Sequence, residues 1–267
     1  MKVFRIKPGT RVKLAGIDPE GEPPIAGDKD QGLRELEAIR EDIRRLQRML
    51  YAERKHRLLV ILQGLDGSGK DGTVRHVFHG IDPHGLRVVA FKSPTAIELD
   101  HDFLWRVHQE VPARGELVVF NRSHYEDVVA VSVKNLAPKA VWDKRFDHIV
   151  NFERLLTDEG TTILKFFLHI SREEQRRRLQ ARLENPDKHW KFHPDDLSDS
   201  KRWPEFVEAY EEAINRTGSE AAPWYIIPGN RKWYRNIAIA SIVRDALARL
   251  ELKFPPPAWN LKGLEIA

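Results

Sequence analysis

Cysteine is absent from the 267-residue chain, which excludes disulfides, thiolate nucleophiles and every cysteine-based metal site. No apolar run approaches the roughly 18 residues that a membrane-spanning helix requires. The opening MKVFRIKPG is too short and too polar for a secretion signal. A cytoplasmic protein without membrane contact is therefore the expectation. A strong excess of either charge is also missing. The 44 Lys and Arg face 40 Asp and Glu, a net charge of +4, which is too small for a bulk nucleic-acid binder yet compatible with a local anion site.

Apolar residues at 41% beside charged residues at 31% describe a globular chain long enough for one large α/β domain. Residues 1–30 hold Pro8, Pro19, Pro23 and Pro24 without periodicity and read as an extended N-terminal arm. Leu33, Leu36, Ile39, Ile43, Leu46 and Leu50 then recur every three or four residues, predicting a long amphipathic helix over 32–56 that lies on the surface or in a subunit contact. Short apolar runs follow at 58–63, 86–91, 116–120, 162–170 and 224–228, alternating with helical patterns such as 141–160, 171–184 and 232–252. Near-continuous apolar strands alternating with helices predict a five-stranded parallel sheet covered on both faces. A single domain is expected over 31–255, with a lid at about 171–203 and a C-terminal tail over 256–267. The lid rests on NPDKHWKFHPDDLSDSKRW, a long, polar, proline-broken loop beside an arginine-rich helix.

Residues 58–78, LLVILQGLDGSGKDGTVRHVF, carry the strongest chemical signal. Gly64 to Asp71 fits G-x-x-x-x-G-K, followed by Asp where Ser or Thr is usual. Gly67, Ser68, Gly69, Gly72 and Thr73 shape a turn whose backbone N–H groups face phosphate, and Lys70 reaches terminal phosphates. Asp71 reads as a helix-start carboxylate favoured by the backbone dipole. A bare carboxylate at Asp66 would repel phosphate unless a cation lay between them, so Asp66 is the expected metal ligand.

The strand ELVVF runs into NRSHYEDVV. Asn121 occupies the place where an acidic residue often helps to hold Mg2+, which shifts charge compensation toward Asp66 and Glu126. Arg122, past a parallel strand's carboxyl end, is placed to meet phosphate, a surface ion pair being the plainer alternative. The helix from Ser171 carries Arg172, Arg176, Arg177, Arg178 and Arg182. Its ordinary reading is a solvated, salt-bridged face. The number of arginines exceeds what that explains, and Arg178 is expected to face the site and stabilise a phosphoryl group in transfer. Lys92 and Arg75 extend the basic surface or are simply solvated.

GLDGSGKDGT, FNRSHYEDV and LHISREEQRRRLQARLENPDKHWKF occur in this order, and together they resemble the second polyphosphate kinase family, the polyphosphate:nucleotide phosphotransferases. The resemblance runs from about residue 30 to 255. It implies a thymidylate-kinase-like phosphate-loop fold with a lid, a divalent metal (Mg2+ or Mn2+), and phosphoryl transfer between inorganic polyphosphate and AMP, ADP or ATP. By resemblance Asp66, Lys70, Arg122 and Arg178 are catalytic, with Asn121, Glu126, Asp127 and Arg182 among the binding residues. The Asn121 form followed by Glu126 and Asp127 is similar to the subgroup accepting both AMP and ADP. A homo-oligomer, dimer or tetramer, is expected, with the 32–56 helix as its contact. An ATP-dependent nucleoside monophosphate kinase shares the loop and stays open as the alternative.

Overall fold

Five apolar segments become strands: β1 (Arg57–Gln63), β2 (Leu86–Ala90), β3 (Leu117–Asn121), β4 (Thr161–His169) and β5 (Trp224–Pro228). Each lies within a residue or so of its expected place. The computed structural model describes residues 4–21, 28–192 and 194–262. Its sheet has the order β2-β3-β1-β4-β5, and every pairing is parallel.

The helices are α1 (Lys29–Glu53), α2 (Lys70–Val77), α3 (Ala96–Leu99), α4 (Trp105–His108), α5 (Val129–Val133) and α6 (Lys139–Trp142). They are followed by α7 (Arg145–Asp158), α8 (Arg172–Leu183), α9 (Pro194–Lys201), α10 (Trp203–Thr217) and α11 (Lys232–Ala248).

Along β1 the side chains alternate between two cores. Leu58, Val60 and Leu62 pack with α1 and α11 on one face, while Leu59 and Ile61 pack with α5, α7 and α10 on the other. This two-sided burial is why the strand reads as a continuous apolar run.

The apolar stripe of α1 is covered by its own chain, so the stripe that suggested a subunit contact is taken up inside the domain. Leu36, Ile39, Ile43, Leu46 and Leu50 are buried in the same core as α11. A Cβ on Gly32 would come 2.7 Å from the Trp233 ring, so a glycine lets the two helices approach this closely. Asp28 caps α1 by accepting from the Gln31 N–H at 2.8 Å.

The 185–203 segment departs from the expected loop. A 3-10 turn over Pro186–Lys191 and α9 occupy most of it. Both prolines stand in first turns, where a missing N–H costs nothing, and the Asn185 side chain accepts from the Asp187 N–H at 3.0 Å. Proline therefore starts structure here instead of breaking it. The segment from residue 4 meets the edge strand β5 where Ile6 N–H donates to Trp224 O at 2.9 Å, then passes to α10, where Val12 N–H donates to Asn215 Oδ1 and Leu14 N–H to Glu211 Oε1, both at 2.7 Å.

Candidate active site

The phosphate loop follows β1, the central strand, and Asn121 and Arg122 follow β3 beside it. Leu62 is paired with Asn121 in register, and the Arg122 N–H donates to Leu62 O at 3.1 Å. Both loops thus leave the same edge of the sheet, outside the carboxyl ends of its strands, where open α/β sheets bind ligands. Arg122 has a positive φ of 64°. A non-glycine residue in this region is uncommon, and such strain gathers at functional sites.

Arg122 Nη2 donates to Asp66 Oδ1 at 2.7 Å. Burial opposes ionisation of Asp66, yet Lys70 and Arg122 outweigh it and hold the carboxyl below its ordinary value. Asp66 is therefore a charged carboxylate. Lys70 is buried, and its Nζ donates to Gly64 O at 2.6 Å and Leu65 O at 3.3 Å. Burial and Arg122 lower its pKa, while Asp66, Glu126 and Asp71 act in the opposite sense.

Asp71 lies in the first turn of α2 and accepts from Asn121 Nδ2 at 2.8 Å. This bond ties the loop helix to β3 and engages the amide that stands where an acidic residue often helps to hold Mg2+. The Thr73 hydroxyl donates back to Gly69 O at 3.2 Å within the helix. Arg75 is exposed and lies outside the cavity beside the loop. Five residues past Lys70 is about 140° around a helix, which turns Arg75 away. Lys92 lines the cavity.

Arg178 corrects another expectation. Its Nη1 donates to Gly67 O and Ser68 O at 2.9 and 3.0 Å, its Nη2 to Gly229 O and Asn230 O at 2.6 and 3.1 Å, and its Nε to Glu174 at 2.6 Å. The guanidinium is committed to backbone carbonyls, which point outward in a loop whose amides point inward. It clamps the loop from outside. Arg235 does the same from α11, donating to Ser68 O at 3.0 Å. Burial and the neighbouring Arg178 bring its pKa down to about 9. Gly69, at φ 97°, leaves room for it, since a Cβ there would meet Arg235 Nη1 at 2.2 Å. From the same helix as Arg178, Gln175 Nε2 donates to Asp66 O at 2.9 Å, and the charge of Arg182 acts on the Asp66 carboxylate.

A cavity of about 470 Å³ opens beside the loop, lined by Asp66, Arg122, Glu126, Asp127 and Lys92 and, on another side, by apolar residues including Leu99, Val131 and Phe206. Two lining arginines escaped the sequence reading. Arg106 and Arg145 flank Asp127 at 3.7 and 3.6 Å. Burial pushes the Asp127 carboxyl up even so, and its Oδ2 is buried without a hydrogen-bond partner. Gln63, Tyr210 and Arg235 were missed as well. An isolated arginine inside an apolar helix was a usable signal for Arg235, and a polar residue closing an apolar strand was one for Gln63; Tyr210 had none.

Among the described residues no group of three or more acidic or histidine side chains could cage a metal, and no helix is long and apolar enough to cross a membrane. Mg2+ needs no such cage, because it is commonly held by one or two carboxylates plus substrate phosphates. An ionised Asp66 at the cavity wall fits that requirement.

Comparison with known proteins follows the same line. The family model "Polyphosphate kinase 2 (PPK2)" matches residues 26–255. A Meiothermus ruber protein named AMP/ADP-polyphosphate phosphotransferase is 53% identical over 257 residues, 96% of each chain. A Rhodopseudomonas palustris ADP-polyphosphate phosphotransferase is 39% identical, covering 95% of this chain and 92% of its own. The crystal structure of polyphosphate kinase 2 from Arthrobacter aurescens TC1 superposes with a TM-score of 0.93 at 43% identity, over 97% of this chain and 93% of that one. With its loop, sheet order and nearly full-length matches in agreement, the chain belongs to the polyphosphate kinase 2 family.

Proposed function

We propose that the protein transfers the terminal phosphoryl group between inorganic polyphosphate and adenine nucleotides, AMP to ADP and ADP to ATP, reversibly. The observation that carries this reading is the pairing of Asp66 with Arg122 at the wall of the cavity beside the loop. It joins a metal-binding carboxylate to a phosphate-binding cation where two phosphate-bearing substrates can meet. The names of the relatives, AMP/ADP- and ADP-polyphosphate phosphotransferase, support the same substrates.

In the reaction, an oxygen of the acceptor's terminal phosphate forms a bond to the terminal phosphorus of polyphosphate. The bond to the next phosphate breaks, and the shortened chain leaves with the electron pair. The second pKa of a phosphate ester is about 6, so the acceptor is already largely ionised at neutral pH and needs no general base. Alignment and charge neutralisation remain. Lys70, the loop amides and Arg122 bind and orient the phosphates. Asp66 would hold Mg2+ or Mn2+ with substrate oxygens, and the ion would neutralise charge on the transferring group. The 171–203 region, through Gln175 and the segment after it, limits water at the cavity.

The test is to follow ATP and ADP by luciferase coupling and 31P NMR with AMP or ADP plus polyphosphate, against AMP plus ATP. Product from polyphosphate is expected. Product from ATP alone would establish the monophosphate-kinase alternative, and no product from polyphosphate overturns the proposal.

A further inference from the structure

Gln63 closes β1 immediately before the phosphate loop, and its amide is fully buried. A buried primary amide offers two donors and an oxygen with two lone pairs, and leaving them unpaired is costly. One orientation satisfies it. The amide oxygen accepts from Ser123 N–H and Ser123 Oγ, both at 3.1 Å, while the nitrogen donates to Tyr210 Oη at 3.1 Å and Glu126 Oε1 at 3.0 Å. The reverse orientation would face N–H to N–H and oxygen to carboxylate.

Three elements therefore meet at one side chain: β1, the turn after β3 that carries both Ser123 and Glu126, and α10. Tyr210 is itself buried, and the Gly64 backbone, Glu126, Arg122 and Asp66 all act on its hydroxyl. Glu126 lines the cavity, and its charge acts on both Arg122 and Lys70, the cations that meet phosphate.

We propose that Gln63 and Tyr210 are positioning residues that hold the Glu126 carboxylate in place, and that this placement sets how the site discriminates an acceptor with one phosphate from an acceptor with two. The inference rests on the phosphotransferase reading above. Its physical basis is Coulombic: a carboxylate fixed beside these cations makes each added negative charge on the acceptor less favourable. Gln63 is a neutral donor, so it fixes the carboxylate without cancelling its charge. Without that donor the carboxylate is no longer fixed beside these cations, its repulsion of an added negative charge weakens, and the diphosphate gains relative to the monophosphate.

The experiment measures kcat/KM for AMP and ADP with one defined polyphosphate in wild type, Gln63→Leu, Tyr210→Phe, Glu126→Gln and the Gln63→Leu/Glu126→Gln pair. Melting temperature and circular dichroism confirm folding. The ADP-to-AMP ratio is expected to rise roughly three- to ten-fold in Gln63→Leu and in the same direction in Tyr210→Phe. Glu126→Gln shifts it similarly, and adding Gln63→Leu to Glu126→Gln changes it no further, the non-additivity of a shared interaction. Folded variants with the wild-type ratio overturn the inference, as does a full Gln63→Leu shift persisting in the Glu126→Gln background. Where Gln63→Leu does not fold, Tyr210→Phe, which removes one hydroxyl, decides by the same ratio. Wild type inactive with polyphosphate overturns both the functional reading and this inference, whereas active wild type with unshifted variants overturns the inference alone.

Discussion

Arg122 Nη2 lies 2.7 Å from Asp66 Oδ1, so two loops that follow neighbouring strands meet through one ion pair. In the proposed reaction each partner would meet a different component, the carboxylate a divalent cation and the guanidinium phosphate. The pair helps to keep Asp66 charged, and Arg122 makes it from a left-handed backbone.

Replacing Asp66 with Asn should therefore abolish turnover, by at least about 100-fold, while the far-UV spectrum stays that of wild type. The folded pKa of Asp66 is depressed. Its stabilising contribution is thus complete above the ordinary carboxylate value and is lost as pH falls through the lower folded value. Asp66→Asn should melt below wild type at neutral pH, with the gap closing in acid. Turnover retained at ordinary Mg2+ would remove Asp66 as the metal's ligand.

All five strands, the long first helix and the phosphate loop were legible in the sequence, because burial on both faces writes continuous apolar runs and a glycine turn has few physical alternatives. The contacts behind the loop were not. Gln63, Tyr210 and Arg235 are separated by up to 172 positions and meet the loop only because α10 and α11 pack against opposite faces of the sheet. The 185–203 segment misled because it lacks apolar periodicity, while its helices begin at prolines. The role of Arg178 turned on which atoms its guanidinium reaches, and residue spacing carries no record of that.

Arg178→Lys separates a clamp from a direct role. An ammonium is a point charge on a flexible stem and cannot reproduce four carbonyl contacts made by one planar group. If the residue clamps the loop, KM for the ligand held there should rise about tenfold, the scale of one lost charged hydrogen bond. The fall in kcat should stay well short of the ~10³ that an arginine on the transferring phosphoryl group supplies. Steady-state kinetics with each substrate varied in turn decides this, and a thousand-fold loss of kcat at unchanged KM would restore the direct role.

Beneath the Arg122 turn lies another charge pair, this one fully buried, and its energetics can be separated from catalysis. Lys165 Nζ donates to Glu153 Oε2 at 2.6 Å, to Tyr125 Oη at 3.0 Å and to Thr217 O at 2.8 Å, all inside the protein. Tyr125 Oη donates in turn to Glu153 Oε1 at 2.8 Å, and His124 Nε2 lies 3.4 Å from the same oxygen. Tyr125 N–H reaches back to Ser123 Oγ at 3.2 Å, which is also a partner of Gln63. Removing one charge strands the other in the core, so Lys165→Met should cost about 3–5 kcal/mol in chemical denaturation. Adding Glu153→Leu removes the stranded charge and should return most of that loss, because a buried pair replaced by packed apolar groups is often close to neutral. Equal destabilisation by the single and the double variant would show that the network is held by its hydrogen bonds to Tyr125 and Thr217 instead of by charge compensation. The double variant also isolates the turn's dependence on this foundation: with the fold restored, a kcat that remains depressed means the pair orients Arg122, whereas wild-type kcat confines it to stability.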